Sequence, residues 1–180
     1  MITALVSSNS TYAVGQREVT YVDPSRSTDA NGPGFPGAKT RTLHTYIYYP
    51  ASDLKYQFET ATLDAKPDAA HGKFPLVIFS HGNRTIAPIY AGNTIALASA
   101  GYVVVAPEYP LSRITTPGGP KPADVKNQPA DATFVLNTAC GVRVYLPKLM
   151  FADGSIWRDD GTKSCSLSIY GWAKPQPSDE

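Results

Sequence analysis

The chain has 180 residues, 42% of them hydrophobic and 17% charged, which is enough apolar material for the core of one domain and excludes wholesale disorder. Sixteen Lys and Arg stand against fifteen Asp and Glu, a formal net charge of +1, so no global electrostatic attraction to nucleic acid or an anionic membrane is expected. Two cysteines, Cys140 and Cys165, exclude a disulfide-dense mini-domain and a four-cysteine zinc site. Whether they pair is open; free thiols are the expectation, since nothing else signals an oxidising compartment.

In chain order, Arg17–Val22 alternates as a short strand, and Asp23–Thr40 is a loop by its Pro, Gly, Asn and Asp content. Arg41–Tyr49 alternates well, with Leu43, Thr45, Ile47 and Tyr49 on one face and His44, Tyr46 and Tyr48 on the other. This is a strand, expected to stop at Pro50. Ala51–Lys73 reads as a long polar connection. Phe74–Phe79 (FPLVIF) is a continuous apolar run, as expected of a strand buried on both faces of a parallel sheet. It leads into Ser80-His81-Gly82-Asn83.

Pro88–Ala100 suits a helix, with proline at the first helical position and Gly101 just past its end. Tyr102–Ala106 is a second buried strand, and Pro107–Pro122 is a loop. A further helix begins near Pro129, with Ala132, Val135, Leu136 and Ala139 at i, i+3, i+4 and i+7. Asp124 and Asp131 read as acidic charges favoured at helix N-termini. Strand–helix–strand–helix with short apolar strands predicts an α/β fold, with the two leading strands as an antiparallel edge of a parallel sheet.

Residues 141–180 leave that rhythm. Asp153-Gly154 and Asp160-Gly161 are hairpin-turn dipeptides between short apolar or alternating runs. The expected division is therefore an α/β unit over 1–140 and a divergent tail over 141–180, a small β-meander or disordered. No apolar run approaches the ~20 residues of a membrane-spanning helix. The N-terminal MITALVSSNS lacks the charged and apolar regions of a signal peptide, which makes a cytoplasmic location the default.

The segment with mechanism behind it is FPLVIFSHGN. A His-Gly pair at the carboxyl end of a buried strand lies where open α/β sheets bind ligands. Taken alone, the dipeptide is better read as a strand-terminating turn with His81 packed inside. Five blocks enlarge its context: YAVGQREVTYVDPSR, RTLHTYIYYPA, FPLVIFSHGNR, ALASAGYVVVAPEYP and DVKNQPADATFVLN. In this order they resemble the α/β-hydrolase superfamily, and within it the platelet-activating-factor acetylhydrolase-like and dienelactone-hydrolase-like esterases. The resemblance covers about Tyr12 to Asn137.

It implies a serine-type carboxylic-ester hydrolase acting on a small-molecule or lipid ester, without metal or organic cofactor. It puts His81, Gly82 and Asn83 on the oxyanion loop, with the Asn83 backbone N–H as donor. Asn83-Arg84 departs from the small or apolar residues that many relatives carry there. The larger departure comes later. No G-x-S-x-G occurs, no histidine follows His81, and Gly154-Ser155 and the serines of KSCSLSIYGW do not fit an elbow. A Ser80–His81 dyad is disfavoured because adjacent strand residues face opposite ways. The expectation is a portion of an ester hydrolase that is inactive alone; the alternative is a non-catalytic binding or regulatory module on a shortened α/β scaffold.

Overall fold

A computed structural model describes residues 11–71 and 74–139, together with the paired backbone of 149–150 and 156–157. Five strands, β1 (Ala13–Asp23), β2 (Arg41–Ala51), β3 (Ala61–Leu63), β4 (Leu76–Ile78) and β5 (Val103–Pro107), form one sheet in the order β3-β1-β2-β5-β4. β1 and β2 are antiparallel over eleven pairs, from Ala13 opposite Ala51 to Asp23 opposite Arg41. β5 runs antiparallel to β2 and parallel to β4. Two helices complete the unit: α1 (Ala91–Ser99), preceded by a 3₁₀ turn over Ala87–Tyr90, and α2 (Gln128–Ala139), preceded by one over Pro122–Asn127. The expected α/β class and incomplete α/β-hydrolase-type sheet are what the chain forms.

The alternation of β2 decides which helix covers which face. Leu43, Ile47 and Tyr49 join Val103, Val105, Tyr109 and the α2 residue Val135 in one apolar cluster. Tyr48 joins Val14, Val104 and the α1 residues Ile95 and Ala98 in the other. β5 lies between the two clusters, and Val103, Val104 and Val105 are almost completely buried. Its uninterrupted apolar run is the price of that position.

β4 departs from the same expectation. All three of its residues are only half-buried, and no strand pairs with its outer side among the described residues. An apolar run marks a strand suited to burial on both faces, but the burial itself depends on a neighbour. β2 also departs, continuing through Pro50 to Ala51. β5 pairs with β2 no further than Tyr48, so the missing N–H of Pro50 breaks no ladder bond, and its carbonyl accepts the Asp68 N–H at 2.9 Å. β1 begins at Ala13, earlier than its alternation suggested, and Gly15 within it lies beneath the Tyr49 ring, where a Cβ would collide. The connection after β2 holds β3, three residues parallel to β1 and too short to carry a pattern. α1 ends as expected, with Gly101 at φ +92 closing it.

β6 (Leu149–Met150) and β7 (Ile156–Trp157) form an antiparallel pair that flanks Asp153-Gly154. Cys140, Cys165 and the rest of the expected tail lie outside the described residues.

Asp124 and Asp131 stand in the first turns of the Pro122–Asn127 3₁₀ segment and of α2, as expected of helix-end charges. Both are buried, and both bind the buried Arg41 side chain at the start of β2. Arg41 Nε and Nη2 donate to the two oxygens of Asp131 at 2.6 and 2.7 Å, and Nη2 also donates to Asp124 at 2.7 Å. Arg26 Nη1 reaches Asp131 at 2.8 Å, while its Nε donates to Asp23 at 2.6 Å. Burial alone would push the Asp23 carboxyl up, but bonds from Ser25 and Arg26 outweigh it and hold it below the ordinary carboxylate range. Burial likewise opposes the Arg41 charge, and its two aspartates reverse the effect. This network ties β2 to α2 across one face of the sheet.

Candidate functional site

β4 and β5 are adjacent and parallel, but their chains leave toward opposite faces. The loop after β4 turns to α1, and the loop after β5 turns to α2. Such a reversal of winding at the carboxyl ends is where open α/β sheets bind ligands. The loops support each other there: the Arg84 N–H donates to the Ser112 carbonyl at 2.8 Å, and the Ile114 N–H to Thr85 at 3.2 Å.

His81 sits just past the end of β4 and is 2% exposed. The Tyr109 N–H donates to its Nε2 at 3.1 Å, so that nitrogen carries no proton. Nδ1 therefore carries the hydrogen and donates to the Gly82 carbonyl at 2.8 Å. Burial pulls the imidazole below the ordinary histidine range, with the Gly82 bond opposing it. The ring is a neutral strut between the two loops. Its lone pair is engaged, which leaves it unsuited to general-base work.

Ser80 Oγ shares a 2.6 Å hydrogen bond with Tyr109 Oη. Burial pushes that phenol up to about 12, tempered by the serine, so it stays neutral. Among the described residues Ser80 and His81 share no hydrogen bond; each is bonded elsewhere. They do not constitute a nucleophile and its base.

Gly82, Asn83 and Arg84 are all exposed. The Asn83 backbone N–H has no hydrogen-bond partner among the described residues. A Cβ at Gly82 would meet Thr85 Cγ2 and Tyr90 Oη at 3.5 Å, an ordinary contact, so packing alone does not demand glycine there. Arg84 adopts φ +65, a left-handed conformation that few non-glycine residues take up.

A second polar group at this end escaped the sequence reading. Glu108, the residue after β5, is buried, with Arg113 Nη1 at 3.2 Å and His44 Nδ1 at 4.0 Å. His44 Nε2 lies 3.2 Å from Glu18, and burial, reinforced by Glu108 and Glu18, pushes Tyr46 up to about 12. One signal was present: Glu108 directly follows a buried strand, where a charge needs partners to remain inside. Among the described residues no group of three His, Cys, Asp or Glu side chains could hold a metal ion. No helix among them is long and apolar enough to cross a membrane.

Sheet order, helix placement and paired carboxyl-end loops define an incomplete α/β-hydrolase-type fold. A ferulic acid esterase from Streptomyces cinnamoneus is similar in structure, with a TM-score of 0.53 at 22% identity, over 76% of this chain and 49% of that one. The chain thus spans about half the length of that esterase. Residues 37–116 match the family platelet-activating factor acetylhydrolase, isoform II. Together these findings relate the chain to the platelet-activating-factor acetylhydrolase-like α/β-hydrolases. No curated protein matches it.

Proposed function

We propose that this chain is the oxyanion-loop-bearing part of a serine-type ester hydrolase for small-molecule or lipid esters, inactive as it stands. One observation carries the reading: the exposed residue Asn83 has a backbone N–H unpartnered among the described residues, at the point where the chains after β4 and β5 turn to opposite faces. Such a donor stabilises negative charge as it develops on an acyl oxygen. Gly82, with no packing reason to be glycine, leaves the approach to it open.

His81 and Tyr109 keep the loop rigid, so the donor is fixed before an ester arrives. In this reading His81 contributes geometry rather than proton transfer. Neither the Ser80 hydroxyl nor the His81 lone pair is available for attack, and the sequence contains no G-x-S-x-G. The second oxyanion donor of such enzymes is the N–H after the nucleophile, so the hole itself is half-built.

Titration of the ¹⁵N-labelled chain with phenyl acetate tests the assignment. The Asn83 amide resonance should move progressively, while the Arg84 amide, already bonded to Ser112, should move less. An Asn83 resonance indifferent to the ester at saturating concentration defeats the reading.

A further inference from the structure

Tyr90, which ends the 3₁₀ turn before α1, carries a hydroxyl that the fold does not use. Its ring packs against Phe79, with centroids 5.5 Å apart and planes tilted by 53°. A phenol packed into a protein ordinarily finds a hydrogen-bond partner. The Tyr109 hydroxyl has Ser80 at 2.6 Å, and that of Tyr49 has the Ala65 carbonyl at 2.8 Å. Tyr90 Oη has no partner among the described residues, and Tyr90 is only half-buried.

That hydroxyl stands at the oxyanion loop. It lies 3.5 Å from the position that a Cβ of Gly82 would occupy, and the Asn83 N–H belongs to the peptide that leaves the same Cα. Gly82 has no left-handed φ, and the contacts its Cβ would make are ordinary, so neither conformation nor packing calls for glycine. What the absent side chain does is leave space in front of the Tyr90 O–H, beside the peptide whose N–H has no partner among the described residues. An oxygen of a ligand can enter that space, and a phenol O–H can donate to it.

Resting on the oxyanion-loop reading, we infer that Tyr90 is the second donor of the oxyanion site: its O–H and the Asn83 N–H bind the same acyl oxygen of the ester. The side chain supplies what such enzymes take from the N–H after the nucleophile. Two fixed donors on one oxygen stabilise charge developing there more than one does. The same arrangement gives Gly82 its reason, since any side chain would stand where the oxygen enters.

The test titrates methyl acetate, an ester with no ring current of its own, into the chain labelled with ¹⁵N and with ¹³C at the tyrosine Cζ. The Tyr90→Phe and Gly82→Ala variants are titrated alongside, with circular dichroism checking that each is folded. The Tyr90 Cζ resonance, assigned by its loss in Tyr90→Phe, should move with the Asn83 amide along one binding curve. Tyr90→Phe keeps the ring on Phe79 and should weaken binding about fivefold, the usual scale for one hydrogen bond. Gly82→Ala fills the space and should abolish both shifts. A Cζ resonance that stays in place while the Asn83 amide moves, an affinity unchanged by Tyr90→Phe, or shifts that survive Gly82→Ala overturn the proposal. In each of those cases a moving Asn83 amide leaves the oxyanion reading standing, and only the role of Tyr90 fails. If neither resonance moves in the parent chain, both fail.

Discussion

Replacing Arg41 by alanine removes all three guanidinium hydrogen bonds that join β2 to the two aspartates. Among the described residues Asp124 would keep only the Asn127 amide at 2.7 Å, and Asp131 only Arg26. Both carboxylates would stay buried, since Asp131 is 0% exposed and packs beside Val135 and Leu136. Removing one partner of a buried ion pair costs about 3–5 kcal/mol, because the remaining charge has lost its water and gains nothing in return. In a chain of this length each kcal/mol moves the thermal midpoint by about 2–4 °C. Arg41→Ala should therefore lower it by about 6–20 °C, followed by circular dichroism at 222 nm. Arg41→Lys should recover less than half of the loss, because an ammonium cannot reproduce the two-pronged bond to Asp131. Lys66→Ala, which breaks an ion pair exposed on both sides, should leave the midpoint unchanged. An Arg41→Ala midpoint within about 2 °C of the parent would show that this network does not hold the helix to the sheet.

Arg84→Gly should leave the fold as stable as the parent, or up to about 1 kcal/mol more stable, since it removes left-handed strain at some entropic cost; a loss above that size in urea denaturation would mean the side chain is structural. His81 is held below its ordinary value of 6.5, so the unfolded chain takes up a proton that the folded chain refuses. Its contribution to stability is present above pH 6.5 and is lost as the pH falls below it. Midpoints measured between pH 7.5 and 5.0 should fall less steeply for His81→Gln than for the parent, and parallel slopes would contradict the buried neutral ring. Gly15→Ala should cost about 1–3 kcal/mol by driving a methyl into the Tyr49 ring, and Tyr49→Ala should make that substitution tolerable. Equal costs in both backgrounds would count against the contact.

The elements that sequence periodicity foretold are those whose environment is local and repetitive. The two faces of β2, the buried run of β5 and the apolar stripe of α2 were all legible, because burial repeats every second residue or every turn. Asp131 was legible in principle as well. It lies four residues before Val135, on the apolar side of α2, and Arg41 lies two before Leu43 on the same face of β2. Read for parity rather than for helix dipoles, both charges fall inside. That they meet is a fact of tertiary structure, 90 residues apart in the chain, and no local pattern records it. β3 was out of reach for a different reason: three residues are held by β1 and are too few for a period. At the candidate site, the Ser-His-Gly-Asn string marked the loop but not the engagement of the His81 ring by Tyr109, because the Tyr109 N–H arrives from a separate loop.

The proposed function combines an oxyanion loop at His81–Asn83 with the lack of an activated nucleophile beside it among the described residues. The most direct measurement is hydrolysis of p-nitrophenyl acetate by the purified chain, with fluorophosphonate labelling read by intact mass on the same sample. The account predicts turnover no faster than with an inert protein at equal concentration, and no mass addition. Stoichiometric labelling of one serine, with Ser80, Ser166 and Ser168 the first to test by alanine substitution, would contradict it and identify a catalytic site built in another way.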